Sequence, residues 1–540
     1  MFAVVLFLVS ARAELAPTEA WLHLEVGERG PVRGRVRYAL SVGEPTAELR
    51  LDCGKAVRIR AAALENARGG GGVPLGWTRG AGTTGALRIR LPAPIEPGAA
   101  TLALEFTAPV STRAPGGFLA TFADSQRYLF THFEPNHARD AFPSFDEPRF
   151  KHPWTVDVEA PVAFRVASNT AAATLVRAHE TNKWGFTRTP PLPSYLVAVA
   201  AGPFVAGSAT EVGRARNTVD VLATSPAVLK SVLGQVGPAV KWAEDWMDAP
   251  LPWPKLDVVV APVGGRFGAM ENPGLVVLGS NSLGFWLHMV LRHELLHFWF
   301  GDRVSPSSWA DIWLSEGPAY WGSTAPTAEL AADIWQPGLG TGTPGPVHVT
   351  SFPSDTVVFT PRQQWGAGAL FAMLDAWRSL VPSGFDSLQV VLRKCVAARI
   401  DGHSDTPSFL AHLAAAWPDL PVAEVLAGLL EEAGTPTVTV GWRCGGSEPG
   451  VSLTVVRGAA SAPAGPLPVF FRVAGQETKV VLLRDSTLVP MEGCPAWVLG
   501  NATGAGFYRV TYSEAGLAAL RQLGAADLSK REHLSLDVAP

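Results

Sequence analysis

The sequence predicts an α+β protein of several domains, with strands at both ends of the chain and helices between them. The chain has 540 residues, more than one hydrophobic core usually serves. Apolar and polar side chains alternate in the N-terminal part and again beyond residue 436, which is the period of half-buried strands. Between these parts, apolar side chains recur at the helical period. These observations favour separate β-rich and helical domains.

Residues 14–204 are expected to form an N-terminal β domain. Leu22, Leu24 and Val26 alternate with polar neighbours, so they would point to one face of a strand. Two further triplets have the same spacing: Val36, Tyr38 and Leu40, and Leu102, Leu104 and Phe106.

The first residues of the chain have features of an export signal. A short apolar run at 2–9 precedes Ala11-Arg12-Ala13, which fits a signal-peptidase site. The run is too short to span a bilayer. Because no lysine or arginine precedes it, an upstream start and an N-terminal strand stay open as alternatives. We expect residues 1–13 to be a signal peptide, and the protein to be periplasmic or extracellular.

Residues 205–436 are expected to form a second domain and residues 437–513 a small β-sandwich. Helical patterns cover 409–416 and 422–433, and Gly434-Thr435-Pro436 ends the second of them. Beyond this break the strand alternation returns, for example at Val451, Leu453 and Val455.

One helical segment of the second domain carries a metal-binding motif. In His293-Glu294-Leu295-Leu296-His297 the histidines are four residues apart, so both project from one face of a helix and can bind one Zn²⁺. Glu294 lies between them and can take a proton from a zinc-bound water. Glu316, nineteen residues after His297, can be the third protein ligand, which leaves the fourth position open.

The surroundings of this motif also read as helical. No proline interrupts 283–292, so we expect the first helix to begin near Leu283. Ser315 is expected to cap a second helix that begins beside Glu316. Tyr320, one turn further on, is expected in the hydrophobic core.

A second motif precedes the histidines by about twenty residues. Gly268-Ala269-Met270-Glu271-Asn272 follows a strand-like run at 256–261. A glycine lets the backbone approach a ligand closely. The carboxylate of Glu271 beside it can pair with a cationic amine.

With these motifs the chain resembles the aminopeptidase N-type zinc metallopeptidases, the gluzincins of peptidase family M1, whose relatives include leukotriene-A hydrolase. The resemblance covers about residues 20–515. The matching segments are 133–135 (Phe-Glu-Pro), 141–148 (Ala-Phe-Pro-Ser-Phe-Asp-Glu-Pro), 193–202, Gly268 to Asn272, 293–302, 309–317 and 506–510 (Gly-Phe-Tyr-Arg-Val).

The resemblance implies a fold and a set of roles. The fold would comprise a saddle-like N-terminal β-sheet domain, a thermolysin-like α/β peptidase domain, a small β-sandwich and, at 514–540, the truncated start of a helical domain. His293, His297 and Glu316 would bind one Zn²⁺, and Glu294 would be the general base. Substrate would contact Gly268, Ala269, Met270, Glu271 and Asn272, with Glu271 and Glu134 holding the free α-amine of a peptide. The implied reaction is removal of N-terminal residues by attack of zinc-bound water.

One position departs from the family pattern. The family has a tyrosine that stabilises the oxyanion of the tetrahedral intermediate, and Trp365 stands in its place. Removal of one oxyanion donor typically slows turnover by about 10²–10³-fold. The indole N–H of Trp365 could act as a substitute donor in a slow enzyme. Alternatively, the protein is a catalytically impaired relative that binds zinc and peptides, or Trp365 only packs. An epoxide-hydrolysing relative is disfavoured because the sequence has no sign of a lipid channel.

The charge composition indicates which kinds of partner are expected, and the cysteines bear on the compartment. The net charge is −4, and the sequence has no basic cluster suited to nucleic acid or anionic lipid. We therefore expect a monomer that binds peptides with a free N-terminus, without nucleic acid and without a stable membrane span.

Cys444 and Cys494 flank the expected β-sandwich, so a disulfide between them would fit export. Cys53 and Cys395 are expected to be buried thiols.

Overall fold

The computed structural model describes residues 15–65, 72–80, 85–114, 116–123, 125–263, 268–324, 345–350, 360–381, 384–444, 449–457, 465–524, 528 and 532. The expected signal peptide at 1–13 lies outside these residues. The chain divides into two compact units. One comprises Met1–Pro238, Trp253–Leu287 and Pro353–Val357, and the other comprises Ala239–Pro252, His288–Phe352 and Val358–Pro540.

The first unit begins with a β-rich part that contains three sheets. Its strands are β1 (Ala16–Glu25), β2 (Val32–Val42), β3 (Thr46–Leu51), β4 (Arg58–Glu65), β5 (Val73–Pro74), β6 (Gly76–Arg79), β7 (Leu87–Ile95), β8 (Gly98–Ala108), β9 (Val110–Ser111), β10 (Phe118–Ala123), β11 (Gln126–Thr131), β12 (Trp154–Pro161), β13 (Arg165–Ser168), β14 (Ala172–Arg177), β15 (Thr181–Phe186) and β16 (Val199–Gly202). They are ordered β14-β15-β12-β1-β2-β8-β4-β5, β13-β16-β11-β10-β9 and β3-β7-β6.

The alternating triplets of the sequence form the buried face of the largest of these sheets. Leu22 on β1 is opposite Val36 on β2, and Val36 is opposite Leu104 on β8. All three side chains are buried, as are Tyr38 and Phe106. The strand prediction is therefore confirmed here, because a period of two places every second side chain on one face.

A second five-stranded sheet in the first unit carries the glycine-containing motif. Its strands are β17 (Val205–Val212), β18 (Asn217–Ala223), β19 (Leu256–Ala261), β20 (Ala269–Met270) and β21 (Leu275–Gly279), in the order β17-β18-β19-β21-β20. Strand β20 is at the edge and pairs antiparallel with β21. Glu271 and Asn272 follow directly where β20 ends.

In the sequence, most of the helices come after this sheet and before the C-terminal strands. They are α1 (Pro226–Met247), α2 (Leu287–His297), α3 (Trp313–Thr324), α4 (Ala367–Leu380), α5 (Leu388–Arg399), α6 (Thr406–Ala416) and α7 (Val422–Glu431), and α8 (Glu514–Arg521) follows the last strand. A five-residue π-helical segment, the π-turn (Arg362–Gly366), leads into α4. None of the helices in the described ranges is long and apolar enough to cross a membrane.

The remaining strands belong to the second unit. They are β22 (Ser305–Pro306), β23 (His403–Ser404), β24 (Thr437–Arg443), β25 (Gly450–Val456), β26 (Leu467–Val473), β27 (Lys479–Leu483), β28 (Ser486–Pro490), β29 (Val498–Leu499) and β30 (Arg509–Tyr512). A four-stranded sheet has the order β28-β25-β24-β30 and a three-stranded sheet the order β27-β26-β29. A disulfide joins Cys444 to Cys494, while Cys53 and Cys395 are buried free thiols.

Two helix starts differ from the sequence-based expectation. Helix α2 begins at Leu287 rather than near Leu283, because Gly284 has a φ of +95°, which is incompatible with a right-handed helix. Helix α3 begins at Trp313, so Ser315 lies inside it and does not cap it. The amides of Ser315 and Glu316 already bond to the carbonyl of Ile312, at 2.9 and 3.1 Å, so no cap is needed there.

Candidate active site

Helices α2 and α3 bring the three expected metal ligands together. The ligand atoms of His293, His297 and Glu316 lie within 4.8 Å of one another. The two histidine Nε2 atoms are 3.0 Å apart, and the Glu316 carboxylate oxygens are 3.8 Å from His293 Nε2 and 3.7 Å from His297 Nε2. Two ligands that are each about 2.0–2.2 Å from one zinc ion are roughly 3–4 Å apart, so this donor set fits zinc.

Hydrogen bonds hold His297 in the tautomer that a metal ligand requires. Its Nδ1 lies 3.0 Å from the Phe300 carbonyl oxygen and 3.1 Å from the Ser315 hydroxyl. The Ser315 hydroxyl itself donates to the Phe300 carbonyl at 3.1 Å. Nδ1 is therefore the protonated nitrogen, and the lone pair is on Nε2, which faces His293.

His293 is held neutral by its surroundings. Burial, reinforced by the neighbouring His297, places the pKa of His293 well below its ordinary value. A neutral imidazole offers a lone pair to a metal, so this shift favours ligation.

A glycine makes room for the Ser315 hydroxyl. Gly301 has a φ of +114°, and a Cβ atom there would lie 2.3 Å from Ser315 Oγ. Any other residue would be strained and would push the hydroxyl away from His297. Gly301 is thus part of the support of the ligand, although it offers no side chain.

Replacing Ser315 by alanine is expected to weaken zinc binding by about 10–100-fold, because the His297 ring loses one of the two acceptors that orient it. Zinc affinity measured by competition with a chromophoric chelator tests this. Ser323→Ala is the matched control, since Ser323 is also a buried serine of α3 that donates to a backbone carbonyl, that of Tyr320. Equal zinc affinity in the two variants would contradict the assignment.

The side chain of Tyr320 is not part of the core, contrary to the expectation from the sequence. It is half-buried, and its ring centroid lies 4.2 Å from that of His293. Its spacing of four residues from Glu316 could have indicated this, because residues at i and i+4 share a helix face. Glu294, on the same helix as both histidines, is buried.

Trp365 lies beside the helix that carries Glu316. It is half-buried in the π-turn, which contacts α3. The next helix approaches α3 closely at Gly317, where a Cβ atom would lie 2.5 Å from the Phe371 ring and 3.2 Å from the Ala367 Cβ. The π-turn that contains Trp365 is therefore held next to a metal-ligand helix.

The residues expected to bind substrate lie in the first unit. Glu134 follows β11 and Glu271 follows β20, both are at least nine-tenths buried, and their carboxylate oxygens lie within 4.8 Å of each other. Two buried carboxylates this close repel each other unless a proton or a cation lies between them. Such a pair is suited to a cationic group.

The backbone around Glu271 is fixed by the edge of the sheet. The carbonyl of Gly268 accepts a hydrogen bond from the Gly279 amide at 2.8 Å. Ala269 is opposite Leu278 and Met270 is opposite Val277 in the β20–β21 pair. Met270 and Asn272 are buried, whereas Gly268 is exposed. Of the five residues 268–272 that are expected to bind substrate, Gly268 is therefore the exposed one.

Comparison with known proteins places the chain in a family. Residues 17–196 match the peptidase M1 N-terminal domain, and residues 232–337 match the peptidase family M1 domain. The chain belongs to the peptidase M1 family. The first match contains Glu134, and the second contains Glu271, the two histidines and Glu316. The α+β architecture is accordingly a multidomain M1 architecture, with a β-rich N-terminal domain, an M1 peptidase domain and further helices.

Several M1 aminopeptidases resemble the chain, two of them over most of its length. It is 25% identical over 481 residues to aminopeptidase M1-C of Oryza sativa subsp. japonica, which covers 81% of this chain and 54% of the rice protein. It is 25% identical over 560 residues to probable M1 family aminopeptidase 1 of Encephalitozoon cuniculi, covering 94% and 61%, respectively. Aminopeptidase N of Acetobacter pasteurianus is 29% identical over 254 residues, covering 43% and 70%. The chain spans about half the length of the first two relatives.

Proposed function

We propose that this M1 protein is a zinc-dependent aminopeptidase that removes N-terminal residues from peptides. The observation that carries the proposal is the convergence of His293, His297 and Glu316 at one point. Two imidazoles and one carboxylate form a protein ligand set of catalytic zinc sites, which keep one position open for water or substrate.

The chemistry follows from the residues around that point. Bound zinc would lower the pKa of water and polarise the carbonyl that is attacked. Glu294 would accept the proton of the attacking water and pass it to the leaving amine. Ser315 and the Phe300 carbonyl would keep His297 in its ligating tautomer.

Glu134 and Glu271 would select substrates with a free N-terminus. Their paired buried carboxylates favour a cationic α-amine, and a blocked N-terminus would leave them without it. The proposed partners are therefore peptides with a free amino group, rather than nucleic acid or a lipid surface.

Turnover is proposed to be slow. An indole N–H can donate one hydrogen bond to an oxyanion but, unlike a phenol, cannot exchange its proton readily. The alternative is a relative that binds zinc and peptide without turnover, and the same departure at Trp365 supports it.

Further proposals concern location and fold. We propose an exported monomer with a signal peptide at 1–13, in which 14–204 form the saddle-like β domain and 205–436 the thermolysin-like domain. Residues 437–513 would be a β-sandwich, and the disulfide between Cys444 and Cys494 is consistent with an oxidising compartment.

The decisive experiment compares alanyl-fluorophore with its N-acetyl form, using the zinc-loaded protein. Hydrolysis of the free-amine compound alone is expected. The Glu271→Gln variant is expected to raise KM by about 30-fold or more, because one charge of a buried ion pair is lost. Glu147→Gln, at an exposed glutamate of the same unit, should leave KM unchanged. Equal hydrolysis of both compounds by the parent protein would refute the proposal.

A further inference from the structure

We propose that Arg362 is a positioning residue, which fixes the π-turn to the segment ahead of the C-terminal strands and thereby sets the position of Trp365. This inference rests on the proposed role of Trp365 at the catalytic centre. Arg362 has no place in the motifs of the sequence, and its role emerges from contacts between distant parts of the second unit.

The π-turn itself is an unusual structure that needs support. Segments with i→i+5 hydrogen bonds are rare, and they occur frequently at functional sites. The turn is tied down at its start, where the Thr360 amide donates to the side-chain oxygen of the buried Gln363 at 3.0 Å. At its end the Ala367 amide donates to the Gln364 carbonyl, which continues the chain into α4.

The side chain of Arg362 supplies a third attachment. It is fully buried, with its Nη1 donating to Thr435 Oγ1 at 2.7 Å and its Nη2 donating to the Gly434 carbonyl. Its guanidinium lies 4.8 Å from the centroid of the Phe507 ring. Buried charge-assisted hydrogen bonds and a cation–π contact are each substantial interactions, so Arg362 joins the π-turn firmly to residues 434–435 and 507.

Two sets of contacts therefore hold the elements next to Trp365. Gly317 allows α4, which follows the π-turn, to approach the helix of Glu316 closely. Arg362 ties the π-turn to residues 434–435. Trp365 is three residues after Arg362, so a shift of the guanidinium is passed on within a single turn. A misplacement of about 1 Å at a catalytic group can cost about 10²-fold in rate.

A second arginine, Arg457, whose side chain is 10% exposed, provides a control for purely structural effects. Arg457 donates to Glu432 Oε2 and to the Gly465 carbonyl, both at 2.7 Å. It therefore anchors the same stretch of chain as Arg362, but it is not part of the π-turn. Loss of either arginine should lower the stability of the segment at 432–435, but only loss of Arg362 should move Trp365.

The test is ¹⁹F NMR of the full zinc-loaded chain labelled with 5-fluorotryptophan. The sequence has 18 tryptophans, and the Trp365 resonance is assigned as the one that disappears in Trp365→Phe. In Arg362→Met this resonance is expected to shift or split, and kcat to fall by about 10-fold or more with KM and zinc content unchanged. Arg457→Met should leave the resonance in place. In Arg362→Lys, which keeps the positive charge, the resonance should lie closer to its position in the parent protein than in Arg362→Met.

Other outcomes separate this inference from the proposed function. An unmoved Trp365 resonance in Arg362→Met, or an equal shift in Arg457→Met, overturns the positioning role. If Arg362→Met does not fold, Thr435→Val is used instead, because it removes only one acceptor of Arg362. An unmoved Trp365 resonance in Thr435→Val also overturns the positioning role. A shifted resonance in a protein that hydrolyses no peptide supports the positioning role while rejecting the proposed activity.

Discussion

Replacing Glu294 by glutamine is expected to lower kcat for aminoacyl substrates by about 10²–10⁴-fold, the usual contribution of a general acid–base group. Glutamine has nearly the same shape and is also polar, so the buried site should keep its packing. It cannot accept a proton at neutral pH, and both proton transfers of the proposed reaction would then lack their carrier. Steady-state kinetics with an alanyl-fluorophore measures the loss.

The controls for Glu294→Gln separate chemistry from structure. Zinc content should stay at one per chain, because Glu294 is not among the converging ligand atoms. Glu431→Gln changes an exposed glutamate at the end of α7 and should leave kcat unaltered. If Glu294→Gln kept full activity with zinc bound, another group would have to be the base, and the proposed mechanism would be wrong.

Replacing Trp365 by tyrosine is expected to raise kcat, by up to about 10²–10³-fold if the phenol reaches the oxyanion. The reason is that a phenol is a stronger donor than an indole N–H and can also be repositioned by a small rotation. Tyrosine is smaller than tryptophan, so the π-turn beside α3 can hold it without overpacking. Zinc-loaded Trp365→Tyr and the parent protein are compared by their turnover at saturating substrate.

Trp365→Phe is the matched variant, since it keeps an aromatic ring and removes the donor. A slow enzyme that uses the indole N–H should lose activity in this variant. Unchanged kcat in both Trp365→Phe and Trp365→Tyr would show that Trp365 only packs. An inactive parent that stays inactive as zinc-loaded Trp365→Tyr would favour the alternative, a peptide-binding relative without turnover.

The sequence alone could predict those parts of the fold and the site that depend on local spacing. Leu22 and Leu24 mark a buried strand face because strand period is a local property. His293 and His297 share a helix face for the same kind of reason. Glu316 could be added because the metal ligand set is short of one donor, and the structure brings its carboxylate to the two imidazoles.

The remaining features depend on how elements pack against each other, which spacing does not encode. Ser315 turned out to support His297 rather than cap a helix, since Gly301 opens a space that only the folded chain defines. Tyr320 contacts His293 because α3 lies against α2. Arg362 reaches Phe507 from a distant part of the chain, and no local pattern predicts such a contact.

The close approach of α3 and α4 at Gly317 also limits which substitutions this chain can accept in evolution. A side chain at 317 would overlap the Phe371 ring, which a Cβ atom would meet at 2.5 Å. Acceptance of alanine at 317 therefore presupposes a smaller residue at 371, while a smaller residue at 371 alone would leave a cavity in a buried helix pair. Alanine at 317 is disfavoured while residue 371 is phenylalanine, and a smaller residue at 371 is disfavoured while residue 317 is glycine. Substitutions at these two positions should accordingly be inherited as a pair.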